Sequence, residues 1–230
     1  MIEGGVSSYD AGEVWHLLDQ RFRMPLTMLS LDYFDRVDLD RYNTLVMVDG
    51  RYQDMPKSAV EKLKQWVGQG NTLIALQGAG KWLADQEIGG FAYVDIPQDS
   101  TSTPPYGARD EHRGAQVIGG AIFEARLDRT HPLGYGFNED LVPLFRNDDL
   151  MIERGKNPYA YPLVYTEDPL LAGYISEEKE ALLGGTAAVG VTKLGKGTVI
   201  VFADNPNFRA YWYGTNKLFL NSLFFGAIVE

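Results

Sequence analysis

Three short stretches of this 230-residue chain are apolar from end to end: Thr44-Leu45-Val46-Met47-Val48, Thr72-Leu73-Ile74-Ala75-Leu76 and Thr198-Val199-Ile200-Val201-Phe202-Ala203. A strand with one face in water alternates apolar and polar side chains, so an unbroken apolar run of this length reads as a strand covered on both faces. The first two runs are separated by a helix predicted over 56–67. Pro56 stands at its start and Gly68 and Gly70 at its end, with Val60, Leu63 and Val67 on one side and Lys57, Glu61 and Lys64 on the other. Strand, helix, strand in this order implies parallel strands joined by crossovers, with helices on both faces of the sheet.

The rest of the chain fits around that core. Ala11, Trp15, Leu18 and Phe22 recur at helical spacing and predict a helix over 10–22, and residues 26–31 read as a strand after Pro25. Gln77-Gly78-Ala79-Gly80-Lys81 turns the second apolar run into a short helix. Residues 121–127 are strand-like, and Pro158, Pro162 and Pro169 break 143–174 into short extended pieces. Residues 187–192 and 198–203 flank Gly195-Lys196-Gly197 as a hairpin, and 215–227 predict a terminal helix, apolar almost all round and well buried. A polar segment at about 95–115, centred on Ser100-Thr101-Ser102-Thr103-Pro104-Pro105, reads as a surface insertion. The expected fold is one α/β domain over 1–230, a doubly wound sheet in three layers with an antiparallel hairpin added.

Composition narrows the function classes. With 21 Lys+Arg against 31 Asp+Glu the net charge is −10, which argues against nucleic acid or an anionic membrane surface as partner. Cys is absent, which removes disulfides, thiolate metal sites and a cysteine nucleophile together. Met1-Ile2-Glu3-Gly4-Gly5 does not read as a signal peptide, and the apolar stretch 218–229 is too short to cross a bilayer. The abrupt start, a short apolar stub running into a Gly-Gly turn, reads as a domain cut from a longer protein.

In doubly wound sheets ligands sit beyond the carboxyl ends of the strands. That places residues 4–8, 49–52, 77–81 and 204–209 around one crevice, with Ser7, Ser8, Asp49, Gln77, Lys81, His131, Asp204, Asn205 and Arg209 as its expected polar lining. A nucleophile elbow needs Ser or Cys on the turn between strand and helix, and the turn after Leu76 carries Gln77, Gly78 and Ala79 instead. Ser7 and Ser8 near His131, with Asp49, allow a Ser-His-Asp triad to be sketched, but capping the helix that follows is the commoner role of such serines. His16, His112 and His131 lack partners at metal-ligand spacing. The glycines at 4, 5, 78 and 80 lack the spacing of a phosphate loop and fit tight turns. Arg209, in Asp204-Asn205-Pro206-Asn207-Phe208-Arg209, suits either a carboxylate clamp or an internal brace for Asp204.

Three segments carry a resemblance: the tail from Gly197 to Gly226 with its Ala203-Asp204-Asn205-Pro206-Asn207-Phe208-Arg209 core, Gly4 to His16, and Thr130-His131-Pro132-Leu133-Gly134. Together they resemble the C-terminal region of bacterial zinc carboxypeptidases of the carboxypeptidase A class, in which a peptidase domain precedes a class I glutamine amidotransferase-like domain. The resemblance spans essentially the whole chain and implies a flavodoxin-like three-layer fold and a periplasmic or secreted parent. It also implies that zinc belongs only to the upstream peptidase domain, with no cofactor in this chain. Amidotransferases of that superfamily use an elbow cysteine, and the zinc peptidase needs a His-x-x-Glu pair; this sequence has neither.

The leading expectation is therefore a noncatalytic accessory domain of a zinc metallocarboxypeptidase. Its partners would be the upstream peptidase domain and a peptide or small-molecule ligand, with no nucleic acid and no membrane insertion. The rival is a small-molecule module using the crevice, with an anion suited to the two cations Arg209 and Lys81. A serine hydrolase built on Ser7 or Ser8 ranks last.

Overall fold

The computed structural model describes residues 1–97 and 103–229. In chain order the elements are β1 (Ile2–Glu3), α1 (Ser8–Trp15), β2 (Leu29–Ser30), β3 (Thr44–Met47), α2 (Lys57–Gly68), β4 (Thr72–Leu76), α3 (Gly78–Asp85) and α4 (Arg109–Ala115). They continue with β5 (Ala121–Leu127), β6 (Leu141–Arg146), β7 (Leu163–Ala172), α5 (Glu177–Leu183), β8 (Ala187–Leu194), β9 (Gly197–Phe202) and α6 (Asn216–Phe225). Seven of the described strands form one mixed sheet in the order β3-β4-β9-β8-β7-β5-β6, and β1 pairs with β2 in parallel as a separate ribbon.

The three apolar runs are β3, β4 and β9, adjacent and parallel. Their side chains alternate between two cores. Val46, Ile74, Leu76, Ile200 and Phe202 pack with Val14 and Leu17 of α1 and its continuation and with Leu218 and Phe219 of α6. Leu45, Met47, Leu73, Ala75, Val199 and Val201 pack with Leu63, Trp66 and Val67 of α2 and Trp82 and Leu83 of α3. This is the three-layer arrangement that the double-faced apolar runs demand. The β8–β9 hairpin forms as expected, in register from Val189↔Phe202 to Leu194↔Gly197. Gly197 is required there: a Cβ on it would stand 1.9 Å from the Val67 carbonyl oxygen.

Elsewhere the structure revises the expectation. The antiparallel part is not a single hairpin but β8, β7, β5 and β6 together, each antiparallel to its neighbour. The strand expected over 26–31 shrinks to Leu29–Ser30, because Leu31–Arg36 coils into a 3-10 turn that buries Phe34. The helix begun by α1 runs on through a π-helical segment, His16–Arg21. α6 is not buried all round: Asn216, Asn221 and Ser222 face the core while Phe224 is exposed. The Asn221 amide donates to the carbonyls of Leu133 and Tyr135, so its polar groups are satisfied inside. In the expected insertion, α4 and a 3-10 turn at Tyr106–Ala108 are present, while residues 98–102 lie outside the described residues. Among the described residues no helix is long and apolar enough to cross a membrane.

Candidate functional site

The loops that leave β3, β4 and β9 converge with the start of α1 on one cleft, of 890 Å³. Backbone hydrogen bonds fix the convergence. Ser7 N–H donates to the Asp49 carbonyl at 2.8 Å, and Gln77 N–H donates to the Phe202 carbonyl at 2.8 Å. Ser7, Ser8, Asp49, Gln77 and Arg209 line the cleft as the sequence suggests. The Ser7 hydroxyl also accepts from Asp10 N–H at 3.4 Å, which is the helix-cap role.

Gln77 occupies the turn between β4 and α3 with φ 48° and ψ −122°. That backbone state suits glycine, and holding another residue there costs about 1–3 kcal/mol. A strained residue between a sheet strand and the helix behind it is the geometry of a nucleophile elbow. Here the elbow presents a carboxamide. Gln77 is buried, and its Nε2 reaches Asn147 Oδ1 at 3.4 Å. A side chain on the next residue would crowd Asp49, since a Cβ on Gly78 would stand 2.3 Å from its Oδ1. Without one, Gly78 N–H donates to that oxygen at 3.1 Å, at the start of α3.

Asp204 and Asn205, expected in the lining, are instead buried behind it, where they hold the cleft wall. Asp204 is paired with Arg146 at 2.8 Å and also accepts from the Tyr165 hydroxyl, with all three buried. Burial pushes the Asp204 carboxyl above its usual range, and Arg146 and the Tyr165 hydroxyl pull against that shift. The internal brace of Asp204 is thus Arg146, not Arg209. The Asn205 amide donates to Asp10 Oδ1 at 2.5 Å and Glu13 Oε2 at 2.6 Å, and Glu13 Oε1 accepts Arg209 N–H at 2.6 Å. Arg209 and Ala210 sit in the left-handed region, φ 49° and 54°, and the Arg209 guanidinium lies 5.2 Å from the Phe208 ring centre.

Two more expected residues lie outside the cleft lining. Lys81 is on the exposed side of α3, where it pairs with Asp85 one turn on. His131 caps the 3-10 turn Pro132–Gly134, its Nδ1 accepting Leu133 N–H at 3.1 Å, and burial lowers its pKa. The sketched triad therefore has no histidine at residue 131 to draw on. With Lys81 turned away, the anion expectation loses the second cation on which it rested.

The cleft is acidic. Asp10, Glu13, Asp49 and Asp148 line it against one guanidinium, Arg209, and the exposed imidazole of His16. Burial raises Glu13 from 4.5 to about 7, Asp10 adding to the shift while the hydrogen bonds from Arg209 and Asn205 oppose it. Burial also raises Asp49, with the charges of Asp10 and Asp148 in the same direction. Asp10, Glu13 and Asp148 were not singled out from the sequence. Asp10 and Glu13, three apart on one helix face just after the first strand, are the signal that points to them. Arg146 had one too: in Leu141–Arg146 the period of two places it on the same buried face as Val142 and Leu144. Among the described residues no group of three or more His, Asp or Glu side chains is placed to hold a metal ion.

No protein-family model matches the sequence, and no curated protein matches it. Solved structures do match. A ThuA-like protein from Parabacteroides merdae ATCC 43184 superposes with a TM-score of 0.59 at 14% identity, over 98% of this chain and 88% of that one. A GMP synthase component from Thermoplasma acidophilum gives 0.56 at 8% identity, over 96% and 89%. The β-galactosidase from Bacillus circulans sp. alkalophilus gives 0.51 at 14% identity, over 96% of this chain but 27% of that one. The architecture is thereby an α/β, flavodoxin-like fold of the glutamine amidotransferase-like kind. More particularly, the chain is similar in fold to the ThuA-like protein and the GMP synthase component over nearly its full length.

Proposed function

We propose that this chain is a noncatalytic, amidotransferase-like accessory domain of a zinc metallocarboxypeptidase, peptide hydrolysis residing in a separate upstream domain. The observation that carries the noncatalytic part is the residue on the elbow. Gln77 holds the strained backbone state of a nucleophile position, yet a carboxamide is neither a nucleophile nor a base at ordinary pH, and the chain contains no Cys to replace it. Among the described residues the side chain of Gln77 hydrogen-bonds to Asn147, which is no base either. Support for the carboxypeptidase parent is the sequence resemblance of residues 4–16, 130–134 and 197–226. Precedent for such a fold as one part of a larger hydrolase is the Bacillus circulans β-galactosidase, of whose chain the match covers 27%.

Two measurements test the reading. Purified chain is assayed against glutamine, peptides and esters, with Ser7→Ala beside it, and no turnover is expected; activity lost in that variant overturns the noncatalytic role. The coding sequence upstream of Met1 is read for a His-x-x-Glu pair followed by a later His, and an upstream region of another kind overturns the parentage.

A further inference from the structure

The outer edge of β3 is open. β3 ends the seven-stranded sheet, and among the described residues no ladder joins it to β1. In a parallel ladder successive residues turn their N–H and C=O groups to opposite sides. Asn43 O accepts Thr72 N–H on the β4 side, so the backbone groups of Thr44 and Val46 face the other way. They face a groove of 510 Å³ whose opposite wall is the segment 24–29 leading into β2. Met1 C=O accepts Leu29 N–H and the Met1 α-amino group donates to Thr27 O, both at 2.8 Å, so the parallel ladder of β1 and β2 runs up to Met1. The next donor along that wall is Thr27 N–H, which has no backbone partner among the described residues. Leu18, Val46 and Leu223 border the groove from one core, and Leu29, Leu45 and Tyr42 from the other. Among the described residues none of the lining side chains is charged.

We propose that this groove seats a further strand, an uncharged apolar segment of polypeptide that lies between residues 24–29 and β3, parallel to β3 and in line with β1. Thr27 N–H donates to its backbone on one side, and Thr44 and Val46 pair with it on the other. Open backbone edges on two walls ask for extended polypeptide; a small apolar molecule would fill the volume and leave those donors and acceptors unpaired. The groove lies between two cores, so the side chains of the added strand are buried on both faces. Its sequence is therefore a continuous apolar run like β3, β4 and β9, not an alternating one. Running parallel in line with β1, it brings its carboxyl end to the Met1 nitrogen, and its source is the polypeptide that precedes residue 1 in the parent protein. This rests on the accessory-domain reading only for the existence of upstream polypeptide. An upstream domain without the His-x-x-Glu pair overturns the parentage and leaves the strand standing, whereas a charged run just before residue 1 does the reverse.

The test compares the 230-residue chain with two versions extended before Met1, one by Lys-Ser-Val-Ile-Val and one by Lys-Ser-Asp-Gly-Asn. Both extensions turn the Met1 ammonium into an amide, so they differ only in what they offer the groove. Amide hydrogen exchange is followed by NMR and Tm by circular dichroism. The apolar extension slows exchange at Thr27 and at Thr44 or Val46 by about tenfold or more and raises Tm by at least about 4 °C; the polar one does neither. Leu26→Asp, which sets a carboxylate beside the groove, cuts the gain in Tm to less than half, each extended chain being compared with its own unextended form. Acetyl-Lys-Lys-Val-Ile-Val-amide, added at millimolar concentration to the unextended chain, protects these amides less than the covalent extension does. The proposal is overturned if the two extensions behave alike, if Leu26→Asp keeps the full gain, or if the free peptide protects as well as the extension. A coding sequence that places charges or proline in the three residues before Met1, or that starts at Met1, overturns it too.

Discussion

Arg146 has a fully buried side chain and Asp204 exposes 9% of its own, with 2.8 Å between them, so deleting either charge strands the other away from water. Arg146→Met keeps the bulk and the apolar stem while removing the guanidinium that faces Asp204, Tyr165 and the Leu150 carbonyl. Breaking a buried pair from one side typically costs about 3–5 kcal/mol. For a domain of this length each kcal/mol lowers Tm by about 2–4 °C, so a drop of about 12 °C is expected. Asp204→Asn alone leaves an unpaired cation and is expected to cost a similar amount. The double variant carries no buried charge at this site and should be less destabilised than the two singles summed, by at least about 2 kcal/mol. Thermal and urea unfolding followed by circular dichroism measures all four corners of the cycle. A cost below about 1 kcal/mol for Arg146→Met, or strict additivity in the double variant, would refute the claim that this pair anchors the strand end from which the cleft wall departs.

Three further outcomes follow from the same geometry. Glu13 is raised by burial from 4.5 to about 7, so between those values the folded chain holds a proton that the unfolded chain has lost. Stability contributed by Glu13 is therefore greatest at the acid side of that window and declines as pH rises through it, by about 1–2 kcal/mol once solvent in the cleft is discounted. Glu13→Gln should flatten this dependence, read as the difference in Tm between wild type and variant across the window, and an unchanged slope counts against it. Gly197→Ala brings a methyl to 1.9 Å from Val67 O and 2.4 Å from Asn71 O, both backbone atoms, and should destabilise by more than about 3 kcal/mol in urea unfolding. A Tm within a few degrees of wild type would mean that this turn gives way. At the elbow, Gln77→Gly should be more stable than Gln77→Ala by about 1 kcal/mol, because φ 48° costs alanine and not glycine; equal stability of the two would argue against strain there.

Much of the parallel core was legible in the amino-acid order. The runs at 44–48, 72–76 and 198–203, the helix between the first two and the elbow after Leu76 are written in periodicity and turn chemistry, which are properties of neighbouring residues. The meeting of residues 7–8, 49, 77 and 209 was legible as well, because strand ends in such a sheet share one edge. Lys81 was misplaced for a local reason: one residue further along the first turn of α3 points its ammonium to Asp85 instead of into the cleft.

What only the tertiary structure decided depends on groups far apart in the chain. Arg146 meets Asp204 across 58 positions, and Asn205 meets Glu13 across 192. No short-range pattern specifies such partners, because they are chosen by how strands and helices stack after collapse. The same holds for the antiparallel half, β8-β7-β5-β6, whose order follows from pairing between distant segments. It holds for the acidity of the cleft too: carboxylates from three separate segments meet there, and Glu13 and Asp49 acquire their raised pKa only when folding buries them beside the others.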